Sequence, residues 1–425
     1  MPCVFCLLTV AHPSHVARLN VAACTQTDSF PVQLSRMQRS ICAPVASAPA
    51  LMRTLRGHSD TVRALSVSSD GTVLFSGSWD GSVRAWRATD GEELYALPAE
   101  GGAVLSLAQS ADCELLFTGT ESGLIRVWHG AKTRTLRGHT GPVRGLATPR
   151  RDFSAVASPR AAPHTHDAPL YSAGDDGSIR MWTGTSAAVA KCAAVLVPRG
   201  AVVSSSANGA KAASKKGPPA LWCIVLSRDG TTLYAGGDDG GIAVWHPLDG
   251  AHVGHLAAHT GAVRALALSR DDASLFSCGE DRVIRRWAPT EGECVQQLRG
   301  HTFTVLALAL SRDGRTLYSG GWDHTLRVWN LDTGQCIHVA GTDTGTSGGG
   351  GPAAGTHTAA SQTDVASDAP VWALALSPDG CSLHSAASDC HVRTWRVASS
   401  PWPGCSLRGG LGQLMAAFAG SGGRR

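Results

Sequence analysis

A histidine, a serine, an aspartate and a tryptophan recur together along this chain at fixed intervals. Counting back from the tryptophan, the histidine lies 28 residues earlier, the serine ten and the aspartate six in His58, Ser76, Asp80 and Trp86. The same spacing returns in His259, Ser277, Asp281 and Trp287, and in His301, Ser319, Asp323 and Trp329. In a fourth set, His139, Ser172, Asp176 and Trp182, about fifteen extra residues separate the histidine from the serine. Serine, histidine and aspartate together are the groups of nucleophilic hydrolysis: the imidazole takes the serine proton and the carboxylate orients the imidazole. A reaction centre is needed once, whereas this set comes four times. It therefore reads as structural, because a buried indole N–H and imidazole need partners and a closed network supplies them.

The elements that must position these residues are short strands. From Leu298 to Trp329 the chain reads LRGHTFTVLALALSRDGRTLYSGGWDHTLRVW. Val305 to Leu310 alternates with period two, the mark of a strand rather than a helix. A turn at Ser311-Arg312-Asp313-Gly314 precedes a second strand from Thr316 to Gly320, and a tight turn over Trp322-Asp323-His324 leads into a third ending on Trp329. This template fits seven times, closing on Trp86, Trp128, Trp182, Trp245, Trp287, Trp329 and Trp395. The intervals are 42, 54, 63, 42, 42 and 66 residues, and the surplus falls in Gly/Ala/Ser/Pro-rich stretches near 149–169, 204–219 and 341–369. A unit of about 40–45 residues with three or four short strands is the period of a propeller blade. On these residues the chain resembles the WD40 repeat family over roughly 51–397. The resemblance implies an all-β fold, a seven-bladed β-propeller of the WD40 type, with a disordered N-terminal extension (1–50) and a short flexible tail (398–425).

The resemblance also assigns roles. It makes the recurrent set an internal chain from indole to hydroxyl to histidine to aspartate that pins three strands of a blade. It makes Met52–Arg56 the outer strand of the last blade, whose inner strands lie within Val371–Trp395, so that the two ends of the domain close the ring and no sheet edge stays open. Repeats two, four and seven depart from the pattern. The second has Glu100 and Glu121 in place of histidine and aspartate but keeps Thr118; the fourth has Ala235 for serine; the seventh has Ser367 where histidine is expected. These blades are expected to be the softer ones. The residue after each tryptophan is never aspartate, so the Trp-Asp-x-Arg box with which some family members dock onto cullin-ligase adaptors is absent.

Composition sets the remaining bounds. In 425 residues with 43 % hydrophobic and 16 % charged side chains there is ample core and no wholesale disorder. A net charge of +4 does not by itself imply nucleic acid or membrane. Thirteen scattered cysteines fit reduced thiols in an intracellular compartment, cytoplasm or nucleus. No apolar run reaches the ~18 residues of a bilayer span. Residues 1–50 are poor in acid and contain Arg18, Arg36 and Arg39, so organelle import is weighed against a plain disordered extension. Cys3 and Cys6 form a CxxC without a second pair, and His164-Thr165-His166, like His252 and His255, is read as surface histidine in a loop; no metal or other cofactor is expected.

Function is therefore sought at the surface. The resemblance places the residue 23 before each tryptophan, allowing for the insertion in the third repeat, at the mouth of the central channel: Arg63, Leu105, Arg144, Trp222, Arg264, Leu306 and Trp372. The residue before each turn aspartate reaches the same face and adds Trp79, Asp175, Asp238, Glu280 and Trp322. Tryptophan and arginine are the types enriched in binding hot spots, and arginine forks suit carboxylate or phosphate. The expectation is a non-catalytic protein-interaction scaffold that holds a peptide or loop, acidic or phosphorylated, through Arg63, Arg144, Arg264, Trp222, Trp372, Trp79 and Trp322. The bland alternative is that Asp60, Asp175 and Glu280 pair with these arginines and hold loops. The competing function, a substrate-recognition receptor of a ubiquitin ligase, has against it the absent box and the lack of a recognisable F-box in 1–50. A second arginine series, two before the tryptophan (Arg84, Arg126, Arg180, Arg285, Arg327 and Arg393), is read as blade chemistry rather than a nucleic-acid stripe.

Overall fold

A computed structural model describes residues 48–130, 132–149, 168–185, 190–197, 218–341 and 369–397. The expected N-terminal extension, most of the three surplus stretches and the tail lie outside these residues. The described residues form seven four-stranded antiparallel sheets. Naming strands a to d from the channel outward, blade 1 is Val62–Val67, Val73–Ser78, Ser82–Arg87 and Glu93–Pro98, and blade 2 is Val104–Gln109, Leu116–Thr120, Ile125–His129 and Lys132–Leu136. Blade 3 is Val143–Ala147, Leu170–Gly174, Ile179–Thr183 and Lys191–Leu196; blade 4 is Leu221–Leu226, Leu233–Gly237, Gly241–His246 and Ala251–Ala257. Blade 5 is Val263–Leu268, Leu275–Gly279, Val283–Ala288 and Glu293–Arg299; blade 6 is Val305–Leu310, Thr316–Gly321, Leu326–Asn330 and Gln335–Ala340. Blade 7 takes strands a to c from Val371–Leu376, Ser382–Ala387 and His391–Arg396 and its outer strand from the other end of the domain, Ala50–Arg56.

The closing strand pairs antiparallel with strand c of blade 7, Leu51 opposite Trp395 and Leu55 opposite Val392. It begins two residues earlier than the sequence suggests. Each strand a packs against strand a of the next blade, and that of blade 7 against that of blade 1, so the ring is complete. The core is a set of layers between blades. Strand b is buried along its length in blades 2 to 5 and at all but its half-buried first residue in blades 1, 6 and 7, with Leu, Phe or Tyr packing on the neighbouring sheet. Leu55, Val62, Leu74, Trp86 and Val392 share one such cluster, which joins blade 7 to blade 1. No helix among the described residues is long and apolar enough to cross a membrane.

Candidate binding site at the channel mouth

The recurrent polar residues meet in the chain that the family resemblance implies. In blade 1 the Trp86 indole N–H donates to Ser76 Oγ at 2.8 Å, Ser76 Oγ lies 2.8 Å from His58 Nε2, and His58 Nδ1 lies 2.8 Å from Asp80 Oδ2. Blades 3, 5 and 6 repeat the chain, for example Trp329 to Ser319 at 2.8 Å, Ser319 to His301 at 2.7 Å and His301 to Asp323 at 2.8 Å. One proton order satisfies every member: the carboxylate accepts from Nδ1–H, Nε2 accepts the serine O–H, and the serine oxygen accepts the indole N–H. Burial lowers the pKa of His58, His139 and His301 against the opposing pull of their aspartates, so the imidazoles stay neutral as this order requires. The connectivity is that of a hydrolase triad, but the four serines are fully buried with one lone pair already given to an indole, and no substrate can reach them.

The three departing blades improvise. Blade 2 keeps the bond from Trp128 to Thr118 at 3.2 Å, and Glu100, standing at the histidine position, pairs with Arg126. Blade 7 keeps Trp395 to Ser385 at 2.8 Å, while Asp389 pairs with Arg393. In blade 4 the Trp245 N–H has no acceptor among the described residues, and Asp239 is met instead by His255 Nε2 at 3.5 Å. His255 and His252 therefore lie in strand d of blade 4, which corrects the expectation of a loop. Gly241 makes the approach possible: a Cβ there would stand 1.9 Å from His255 Nε2. The arginines two before the tryptophan behave as blade chemistry, with Arg84 on Glu93, Arg285 on Asp281 and Arg327 on Thr325.

The mouth residues share a backbone feature that their sequence does not betray. In all seven blades the register between strands a and b slips at one residue, between Val62 and Ala64, Val104 and Ser106, Val143 and Gly145, Leu221 and Cys223, Val263 and Ala265, Val305 and Ala307, and Val371 and Ala373. The extra residue is Arg63, Leu105, Arg144, Trp222, Arg264, Leu306 or Trp372. A bulge takes one residue out of the ladder and re-aims its side chain. Beside each bulge, the residue before the turn aspartate donates its backbone N–H to the residue two before the bulge, as Trp79 does to Thr61 and Trp322 to Thr304. Each blade thus presents a pair: Arg63 with Trp79, Leu105 with Glu121, Arg144 with Asp175, Trp222 with Asp238, Arg264 with Glu280, Leu306 with Trp322, Trp372 with Ser388. Glu121 therefore stands one before the turn position, which Ser122 fills, and not in place of the aspartate.

Two of the three arginines are neutralised. Arg144 makes a fork with Asp175, Nε to Oδ1 and Nη2 to Oδ2, each 2.8 Å, and Arg264 pairs with Glu280. Their guanidinium carbons lie 4.3 Å and 3.7 Å from the Trp222 ring, one indole shared between two cations, and the Trp222 N–H donates to Asp238. Arg63 differs. Asp60, its expected partner, accepts instead from the Thr61 backbone at 2.6 Å. The Arg63 guanidinium lies 3.6 Å from the Trp372 ring and 5.4 Å from that of Trp79, and among the described residues no carboxylate forms an ion pair with it. Burial, then the charges of Arg144 and Arg264, push its pKa down to about 9. Trp79 and Trp322 are each 47 % exposed, whereas Trp222 and Trp372 are half-buried, the latter donating to Ser388 Oγ at 2.6 Å. Phe303, to which no spacing rule in the sequence points, is 61 % exposed in the loop before strand a of blade 6.

Comparison with known proteins agrees with this architecture. The family model for the WD domain, G-beta repeat, matches residues 49–87, 91–129, 130–183, 213–246, 250–288, 292–330 and 361–396. Five of the matched units run from the outer strand of one blade through three strands of the next, which is how the repeats interlock, whereas 213–246 and 361–396 begin after the outer strands of blades 3 and 6. WD repeat-containing protein pop2 of Schizosaccharomyces pombe is 49 % identical over 49 residues, 12 % of this chain and 7 % of that protein. WD repeat-containing protein pop1 of the same organism is 41 % identical over 58 residues, 14 % of this chain and 7 % of the relative. The matches thus span a small part of these relatives, whose shared ground with this chain is the repeat itself. With seven repeats matched in sequence and seven blades closed into a ring, the chain belongs to the WD40 repeat family, whose propellers generally serve as non-catalytic platforms for binding other proteins.

Proposed function

We propose that this propeller is a non-catalytic interaction scaffold whose channel mouth binds a peptide or loop bearing an acidic or phosphorylated side chain. The observation that carries the reading is Arg63, a half-buried cation without a carboxylate partner among the described residues, held beside two further arginines and flanked by tryptophans. A buried charge without a counter-ion is costly, and an incoming anion relieves that cost. Trp79, Trp322, Trp222 and Trp372 add contact surface of the kind found at hot spots. Arg144 and Arg264 contribute field more than direct ligation, since Asp175 and Glu280 already occupy their forks. Assembly into a larger complex and an intracellular location are part of the same proposal; each described cysteine is a free thiol, which suits a reducing compartment.

The test is a titration of intrinsic tryptophan fluorescence with two peptide pools of equal length, one with a central Asp, Glu, phosphoserine or phosphothreonine and one with their neutral counterparts. The acidic pool is expected to give a saturable change that weakens at high salt, with little response to the neutral pool. Equal responses to both pools, or none to either, would remove the proposal.

A further inference from the structure

Six of the seven pairs around the mouth fall into two unlike arcs, and the pair of blade 2, Leu105 with Glu121, lies between them. In blades 3 to 5 the charges are satisfied locally: Arg144 by Asp175, Arg264 by Glu280, and Asp238 by the Trp222 indole. In blades 6, 7 and 1 the pairs are aromatic. Trp322 holds the Thr304 carbonyl at 2.8 Å through its backbone N–H, one residue along the chain from the exposed Phe303. The Trp322 and Trp372 rings meet edge to face at 5.1 Å, Arg63 stacks 3.6 Å over Trp372, and Trp79 follows at 5.4 Å. A continuous line of contacts thus crosses three blades and contains the one mouth arginine without a carboxylate among the described residues.

We propose that this aromatic arc is the docking half of the mouth. Its partner is a segment of another protein that carries a carboxylate or phosphate next to a bulky apolar side chain. The inference rests on the acidic-peptide reading above and adds which residues read which part of the ligand. A guanidinium that stacks by its face leaves its N–H edge free, and that edge matches an oxyanion. Phe303, Trp322 and Trp79 offer apolar surface beside it that a free inorganic anion would leave exposed to water. Nucleic acid suits the surface less well, because Glu121 of blade 2 and Asp238 of the opposite arc, which form no ion pair among the described residues, repel an extended polyanion. The same acids confine the anionic part of a peptide to blades 6, 7 and 1.

The experiment is an array of immobilised heptapeptides probed with the purified full-length chain. The central residue is Asp, Glu, phosphoserine or phosphothreonine, or the neutral Asn, Gln, Ser or Thr, and the flanks are Ala or one of Leu, Phe and Trp. The wild type is expected to bind peptides with both features about tenfold more strongly than peptides with either alone, the worth of one buried contact of roughly 1.4 kcal/mol. Arg63→Gln should lose the preference for the anion and keep that for the apolar flank, while Phe303→Ala/Trp322→Ala should do the reverse. Both variants alter exposed or half-buried side chains, and circular dichroism confirms the fold of each. The carboxylate and phosphate columns identify the anion. An anion preference that survives in Arg63→Gln, or one indifferent to its flanks, overturns the arc while leaving the acidic-peptide reading in place. No anion preference in the wild type overturns both.

Discussion

At the scale of the residue, the six closing tryptophans other than Trp245 each donate to a hydroxyl at a separation of ten residues. Trp245 faces Ala235 at that separation, and its N–H is buried without an acceptor among the described residues. A buried donor without a partner costs about 1–3 kcal/mol. Ala235→Ser is therefore expected to stabilise the protein by about 1 kcal/mol, read as a higher midpoint in urea unfolding; a lower midpoint would mean that the added oxygen crowds the blade. Glu280 allows the converse experiment. Removing its charge with Glu280→Gln frees the Arg264 fork, so affinity for the acidic peptide pool should rise several-fold and its salt dependence steepen. Unchanged affinity would show that Arg264 lies out of reach of the ligand. The polar network was legible in the sequence because four copies at constant spacing suit a structural motif and not a reaction centre. The state of the arginines was not. Asp60 and Glu280 both look like partners on paper, and only side-chain geometry separates the one that pairs from the one that caps its own loop.

At the scale of the element, strand b of blade 7 carries a polar residue where its counterparts are aromatic. Phe75, Phe117, Tyr171, Tyr234, Phe276 and Tyr318 occupy this position in the other blades, and His384 occupies it here, with Nδ1 3.0 Å from Thr394 Oγ1 and Nε2 without a partner among the described residues. Burial pushes the His384 imidazole down from 6.5 to about 4, against a weak upward pull from Asp379. The unfolded chain takes up this proton first as the solution is acidified. Stability is thus fully present above pH 6.5 and is lost as pH falls from 6.5 toward 4, by roughly 3 kcal/mol from this group. His384→Tyr with Thr394→Val copies the Tyr318–Val328 pair of blade 6 and should flatten the thermal stability profile over that window. A profile as steep as that of the wild type would assign the loss to the network histidines instead. Asp323, held near 2 by His301 and Thr325 in spite of its burial, titrates below this window and does not confuse the measurement. Strands were readable from period-two alternation; the seven bulges were not, because the extra residue at the start of strand a leaves the apolar pattern after it intact.

At the scale of the whole molecule, the ring depends on a strand far from its partners in sequence. Leu55 in the closing strand is as buried as Leu136 in the outer strand of blade 2, 6 % and 5 % exposed respectively. If closure is integral to stability, Leu55→Ala costs as much as Leu136→Ala, about 2–5 kcal/mol each; a near-neutral Leu55→Ala would mean that the ring tolerates an open seventh blade. Closure was expected from the family resemblance, which makes each unit begin with the outer strand of the preceding blade and so leaves the last blade one strand short. What the repeat hides is the division of the mouth. Seven equivalent positions suggest a uniform ring, whereas the side chains placed there make one charge-satisfied arc and one aromatic arc around Arg63. Whether partners bind at that arc is decided by quantitative affinity purification and mass spectrometry of wild type, Arg63→Gln and Arg299→Gln, the last an exposed arginine on the outer strand of blade 5. A defined set of partners should be lost with Arg63→Gln and retained with Arg299→Gln, both variants being folded by circular dichroism. Partner sets that Arg63→Gln leaves unchanged would rule out the mouth as the binding surface.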